Sequence, residues 1–242
     1  MKNYILCVLV SVACVTSLFG SEEWHVVGAG KQNNNKAFVN AAFRKDYKTL
    51  NNLLPGVDNH AKGIALVHAI NHNDLKLFNR LLQAGADVGV RNEEGRTPLM
   101  LASYKGRNDF IDSLLRYRAP VDEQDDQGST ALMYAASGGH VKAVQRLIHA
   151  GAQVNMSDKV KGRTPLHWAL RMREGSAKKN GHLNPAENVH QIITVLLESG
   201  ARVDIKDREY GRTPIDWAEE MKWPEELKLM NQYAHSNKQN SE

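Results

Sequence analysis

Gly95-Arg96-Thr97-Pro98-Leu99-Met100-Leu101-Ala102 is the stretch on which the fold turns. Gly128-Ser129-Thr130-Ala131-Leu132-Met133-Tyr134-Ala135 repeats its pattern 33 residues later, and Gly162-Arg163-Thr164-Pro165-Leu166-His167-Trp168-Ala169 follows after another 34. Gly211-Arg212-Thr213-Pro214-Ile215-Asp216-Trp217-Ala218 closes the series. Thr before Pro caps a helix, and Pro tolerates the first turn because its missing N–H has no partner there anyway. A second apolar run follows each first helix: Leu81-Leu82, Leu114-Leu115 and Leu147-Ile148. It ends at a glycine suited to a left-handed cap, at Gly85, Gly151 and Gly200. Arg118 stands where unit three should carry that glycine, which predicts a strained or differently capped helix end. The stretches after Val88, Val121, Val154 and Val203 are rich in Asp, Asn and Gly and read as hairpin-like fingers. One such unit cannot bury its apolar face alone, whereas stacked units bury a continuous core.

The combination of Thr-Pro-Leu, a period near 33 and a Gly-Ala turn resembles the ankyrin repeat family over about residues 36–235. The resemblance implies an all-α solenoid of about six helix-turn-helix units with fingers along one edge. The units fall at about 36–60, 61–94, 95–127, 128–161, 162–210 and 211–235. The first is degenerate, cut short by Pro55-Gly56, and the last ends in a polar tail, 236–242. Trp168 and Trp217 share the repeat position of His68, Leu101 and Tyr134 and read as packed core.

Residues 1–20 stand apart. Lys2 precedes an apolar run from Ile5 to Val15 interrupted only by Ser11, and no Asp or Glu occurs before Ser21. That is short for a membrane span and fits a signal-peptide core, with a cleavage position after Gly20 or after Ser17. Export to a bacterial periplasm or secretion is the expectation. Lipoprotein attachment through Cys14 is disfavoured, because Ser11-Val12-Ala13-Cys14 lacks the usual Leu. Both cysteines, Cys7 and Cys14, lie in this segment, so cleavage leaves no thiol for a disulfide, a nucleophile or a Cys-based metal site. Residues 21–35 read as a polar leader.

Chemistry-bearing motifs are missing from the sequence. There is no nucleophile elbow, zinc-protease motif, phosphate loop or dinucleotide fingerprint. The expectation is therefore no catalytic residue, no cofactor, no metal and no small-molecule substrate. His68 and His72 share a helical spacing but have no third ligand in sequence reach. A formal charge of +4 is too small to imply nucleic acid. Asn155-Met156-Ser157 is a glycosylation sequon, relevant only in a eukaryotic secretory pathway.

A binding role is what the resemblance implies, and the chain is expected to act as a monomeric, non-catalytic scaffold for a protein partner. The family binds through finger tips and the adjoining helix face on the concave side. Mapped here, the candidates are Glu93, Glu94, Arg96, Tyr104, Lys105, Asp126, Gln127, Ser129, Ser137, Arg163, Arg171, Arg212 and Glu220. One finger reads as strongly acidic (Asp122, Glu123, Asp125, Asp126), the next as basic (Lys159, Lys161, Arg163). The last is mixed, with Lys206, Arg208 and Arg212 against Asp204, Asp207 and Glu209. Unit five departs most from the pattern, since 49 residues separate Ala169 from Ala218. The excess falls at about 171–185, a predicted loop between its two helices carrying Arg173, Lys178, Lys179 and His182. The two lesser readings are a secreted effector acting on host proteins and a small metal or enzymatic site in that insertion.

Overall fold

In the computed structural model, residues 32–176 and 185–239 are described, and they form twelve α-helices in consecutive antiparallel pairs. The pairs are α1 (Gln32–Phe43) with α2 (Tyr47–Leu53), α3 (Asn59–His72) with α4 (Leu75–Gln83), and α5 (Pro98–Tyr104) with α6 (Asn108–Arg116). They continue with α7 (Ala131–Ser137) and α8 (Val141–His149), α9 (Pro165–Ser176) and α10 (Pro185–Glu198), and α11 (Pro214–Glu220) and α12 (Pro224–Gln239). A 3-10 turn at Leu54–Gly56 links the first two pairs. First helices pack on first helices of neighbouring units, and second helices on second helices. Among the described residues there is no strand.

Local chemistry starts the helices where the sequence predicts. Thr97, Thr130 and Thr213 each accept a hydrogen bond from the backbone N–H three residues on. In unit six the cap is reciprocal, with Asp216 accepting from the Thr213 N–H at 2.8 Å. Unit five substitutes histidine for that acid: His167 Nδ1 accepts from the Thr164 N–H at 3.2 Å. That bond places the ring proton on Nε2, which donates to the Arg212 carbonyl of the next unit at 3.2 Å. Burial holds His167 below the usual histidine range, although the Arg212 carbonyl works the other way.

The core is one continuous stack of these caps' apolar followers. Leu99, Leu132 and Leu166 are fully buried, with Leu114, Leu147 and Leu196 from the second helices beneath them. Phe78 and Phe110 join neighbouring units at 4.6 Å between ring centroids. Helix α3 is buried continuously from Ala61 to Ile70, including Lys62 and His68. Arg118 adopts the left-handed backbone expected of glycine, at φ 61°, matching Gly85, Gly151 and Gly200. A side chain there costs roughly 1 kcal/mol that glycine avoids.

Three expected boundaries shift. The last four residues of the leader, from Gln32, already belong to α1. The polar tail is helical as far as Gln239. In the insertion at 171–185, α9 runs on to Ser176 and α10 begins at Pro185, so both flanks are helix rather than loop. Lys178, Lys179 and His182 lie outside the described residues, as do the expected signal segment and most of the leader. No helix among the described residues is long and apolar enough to cross a membrane.

Candidate binding face

Each finger is organised around one Asx side chain at its base. Asn92 Oδ1 accepts from the backbone N–H of Glu94 and Arg96. Asp125 accepts from Gln127 and Ser129, Asp158 from Lys161 and Arg163, and Asp207 from Tyr210. A backbone bond closes each finger in hairpin fashion, from Asn92, Asp125, Asp158 and Asp207 N–H to the carbonyls of Arg96, Ser129, Arg163 and Arg212. Successive fingers are tied edge to edge, with Asp126, Lys159 and Arg208 N–H donating to the carbonyls of Glu94, Gln127 and Lys161.

The other carboxylate oxygen reaches the first helix. Tyr134 donates to Asp125 at 2.6 Å, the Trp168 indole to Asp158 at 3.2 Å, and the Trp217 indole to Asp207 at 2.7 Å. Burial opposes the charged form of Asp207, but the Tyr210 N–H and Trp217 indole outweigh it and leave its pKa below the ordinary carboxylate value. Burial, with the Asp125 bond, pushes the Tyr134 phenol well up. Asp125 is 1% exposed, so it adds no surface charge to the finger expected to be strongly acidic. Within that finger Glu123 pairs with Arg91 at 3.1 Å and Asp122 accepts from the Gln153 N–H. Most of its acidity is spent inside the protein.

Three expected contact residues are corrected by burial: Arg96, Ser129 and Arg163. Arg96 Nε donates to the Tyr134 hydroxyl of the next unit at 2.8 Å, and Nη1 pairs with Glu94 at 3.0 Å. Arg163 lies 4.8 Å above the Trp217 ring and binds Glu209 at 2.6 Å. Burial, with Arg171 nearby, draws its pKa down against Glu209, Asp207 and Asp158. These arginines clamp one unit to the next. Arg212, in the last unit, lies half-exposed over Tyr210 at 5.2 Å and pairs with Glu220. Trp168 packs against the core while remaining part-exposed, and Trp217 is buried.

The remaining candidates form two rows. Tyr104, Ser137, Arg171 and Glu220 occupy equivalent first-helix positions, all partly or wholly exposed. Tyr104 meets Tyr134 edge-on, and Arg171 covers the Trp168 ring at 5.6 Å. The Tyr104 carbonyl accepts from His140, whose ring lies against Gly106 so closely that a Cβ there would clash. The second row is the finger column: Glu93, Asp126, Lys159 and Arg208, each one residue past its Asx base and each exposed. Gln127 is exposed beside it, while Glu94 and Lys105 are half-buried. Arg173 lies in the last turn of α9.

Sequence reading missed Val160 and Tyr210, the finger-tip apolars, which are 61% and 48% exposed. A Val among lysines carries no motif, so only its place at the tip of a finger reveals it. At the other end His68 and His72 do share a helix face, with ring centroids 4.1 Å apart, and Phe43 meets His68 edge-on at 4.4 Å. Both His68 nitrogens are buried without a hydrogen bond. Burial, with His72 and Lys45 close by and Asp74 opposing, lowers its pKa to about 4. Among the described residues no three His, Cys, Asp or Glu side chains come together as a metal would require.

Stacked helix pairs, capped by Thr and edged by tied fingers, define a helical repeat solenoid. The family model described as ankyrin repeats matches in three copies, over residues 38–125, 66–158 and 106–207. The chain belongs to the ankyrin repeat family, whose repeats generally mediate protein–protein interaction. No curated protein matches it.

Proposed function

We propose that the protein is a non-catalytic scaffold that is exported and holds a protein partner on its finger and first-helix face. The observation carrying this is the row formed by Tyr104, Ser137, Arg171 and Glu220. Side chains at this one repeat position stay partly or wholly accessible in four successive units. An accessible row beside rigid, mutually tied fingers suits recognition of a surface, since its backbone needs little ordering on binding. Export rests on the apolar, acid-free stretch at residues 5–15.

The test is capture with the full chain, tagged at its C-terminus, from the cell that makes it, by crosslinking and mass spectrometry. A specific protein retained by the wild type and lost from Tyr104→Ala/Arg171→Glu supports the reading. Equal retention by both counts against this face. Fractionation of the same cells tests export: the protein is expected in periplasm or medium with its N-terminus at or near Ser21. Accumulation in the medium, with a captured protein from a host cell, is the result that favours the effector reading.

A further inference from the structure

We infer that the segment this scaffold captures is acidic with interleaved apolar residues, and that it seats on the finger tips of units five and six. The inference rests on the scaffold reading and names its partner's chemistry. The patch consists of Lys159, Val160, Arg208 and Tyr210.

Mixed charge in the sequence becomes polarised in the fold. Glu209 is held by both Lys161 and Arg163, at 3.0 and 2.6 Å. Asp204 is bidentate to Arg202. Asp158 and Asp207 are buried beneath their fingers, bound to indoles. Lys159 and Arg208 form no ion pair among the described residues, and both are exposed. Each stem lies across the glycine of the preceding finger, Lys159 over Gly128 and Arg208 over Gly162. Arg208 also donates to the Lys159 carbonyl at 2.9 Å, which fixes the two tips side by side. The column therefore ends in base at Lys159 and Arg208, whereas Asp126, one finger earlier, is paired with Arg91 at 3.7 Å.

Charge complementarity selects the occupant. Val160 and Tyr210 expose apolar surface on the same two fingers as the cations, and leaving it in water is unfavourable. An acidic segment with an aliphatic or aromatic residue between its carboxylates satisfies both features. A nucleic acid or an anionic bilayer fits less well, because phosphates would pair with the two cations and leave the exposed Val160 and Tyr210 without an apolar partner.

The test uses the full chain and a short fluorescein-labelled peptide of alternating Glu and Leu, read by fluorescence anisotropy. Binding is expected to weaken about tenfold in Lys159→Glu/Arg208→Glu and to fall with added salt. Lys159→Gln, which leaves every backbone contact of that finger in place, should give an intermediate loss, and Val160→Ser a loss of several-fold. Lys228→Glu, exposed in the second turn of α12 and outside the fingers, should change nothing, and circular dichroism checks that each variant is folded. Equal binding of a Lys-Leu peptide, undiminished affinity in the double variant, or tighter binding of a single-stranded oligonucleotide or phosphatidylglycerol vesicles overturns the inference. If the double variant still retains the protein captured by the wild type, the patch assignment fails while the scaffold reading stands.

Discussion

His68 and Trp217 occupy the same position in their helices, near opposite ends of the array, and differ in what their polar tips meet. The Trp217 indole donates to Asp207, which also ties down its own finger. His68 has no finger carboxylate beneath it, since its unit is preceded by the short turn Leu54–Gly56, and neither ring nitrogen is bonded. The difference teaches what the fingers are for. Besides forming an edge, each finger supplies the acceptor that lets a polar aromatic side chain sit between stacked helices at little cost.

The largest expected effect comes from breaking the partnered end. Trp217→Ala should cost about 3–5 kcal/mol, because it removes a buried ring, the Asp207 donor and the surface beneath Arg163. Trp217→Phe keeps the ring and loses only the donor, so about 1–2 kcal/mol is expected. Urea unfolding of the three proteins separates packing from hydrogen bonding.

The unpartnered end should reveal itself through pH. A histidine whose folded pKa lies below its unfolded value of 6.5 contributes full stability above 6.5 and loses it as pH falls towards about 4. For His68 the loss is up to about 3 kcal/mol across that window. His72, Lys45 and Asp74 face it, and the first two oppose a further positive charge. His68→Leu should match or exceed the wild type at neutral pH and hold its stability between pH 6 and 4. An unchanged acid dependence in that variant would assign the loss to other groups.

The smallest contrast is between two arginines of one motif. Arg163→Ala should cost about 2–3 kcal/mol, since the side chain is 5% exposed, stacked on Trp217 and bound to Glu209. Arg212→Ala, at 41% exposure and paired with the equally exposed Glu220, should stay within about 0.5 kcal/mol. Thermal unfolding of the pair reads the difference, and similar losses would refute the account of Arg163 as an inter-unit clamp.

Much of this was legible beforehand. Thr97, Thr130 and Thr213 announce their helices through local hydrogen bonds, and Arg118 was placed at the glycine position it does occupy in left-handed form. His167 was readable as part of the repeated motif, and it bridges neighbouring units. The site was less legible. Arg96 and Arg163 look as charged and available in sequence as Arg212, yet only the last is accessible. Asp125 reads as one of a run of surface acids and is the buried node of its finger.

Sequence alone determined the period, the helix starts and the family resemblance, because caps, prolines and left-handed turns are decided within a few residues of chain. The tertiary structure decided which charges face water. A finger residue is covered or exposed according to the unit stacked against it, some 33 to 49 residues away. No local pattern records whether an arginine will be covered by the ring of another unit, as Arg163 is, or stay half-exposed, as Arg212 does.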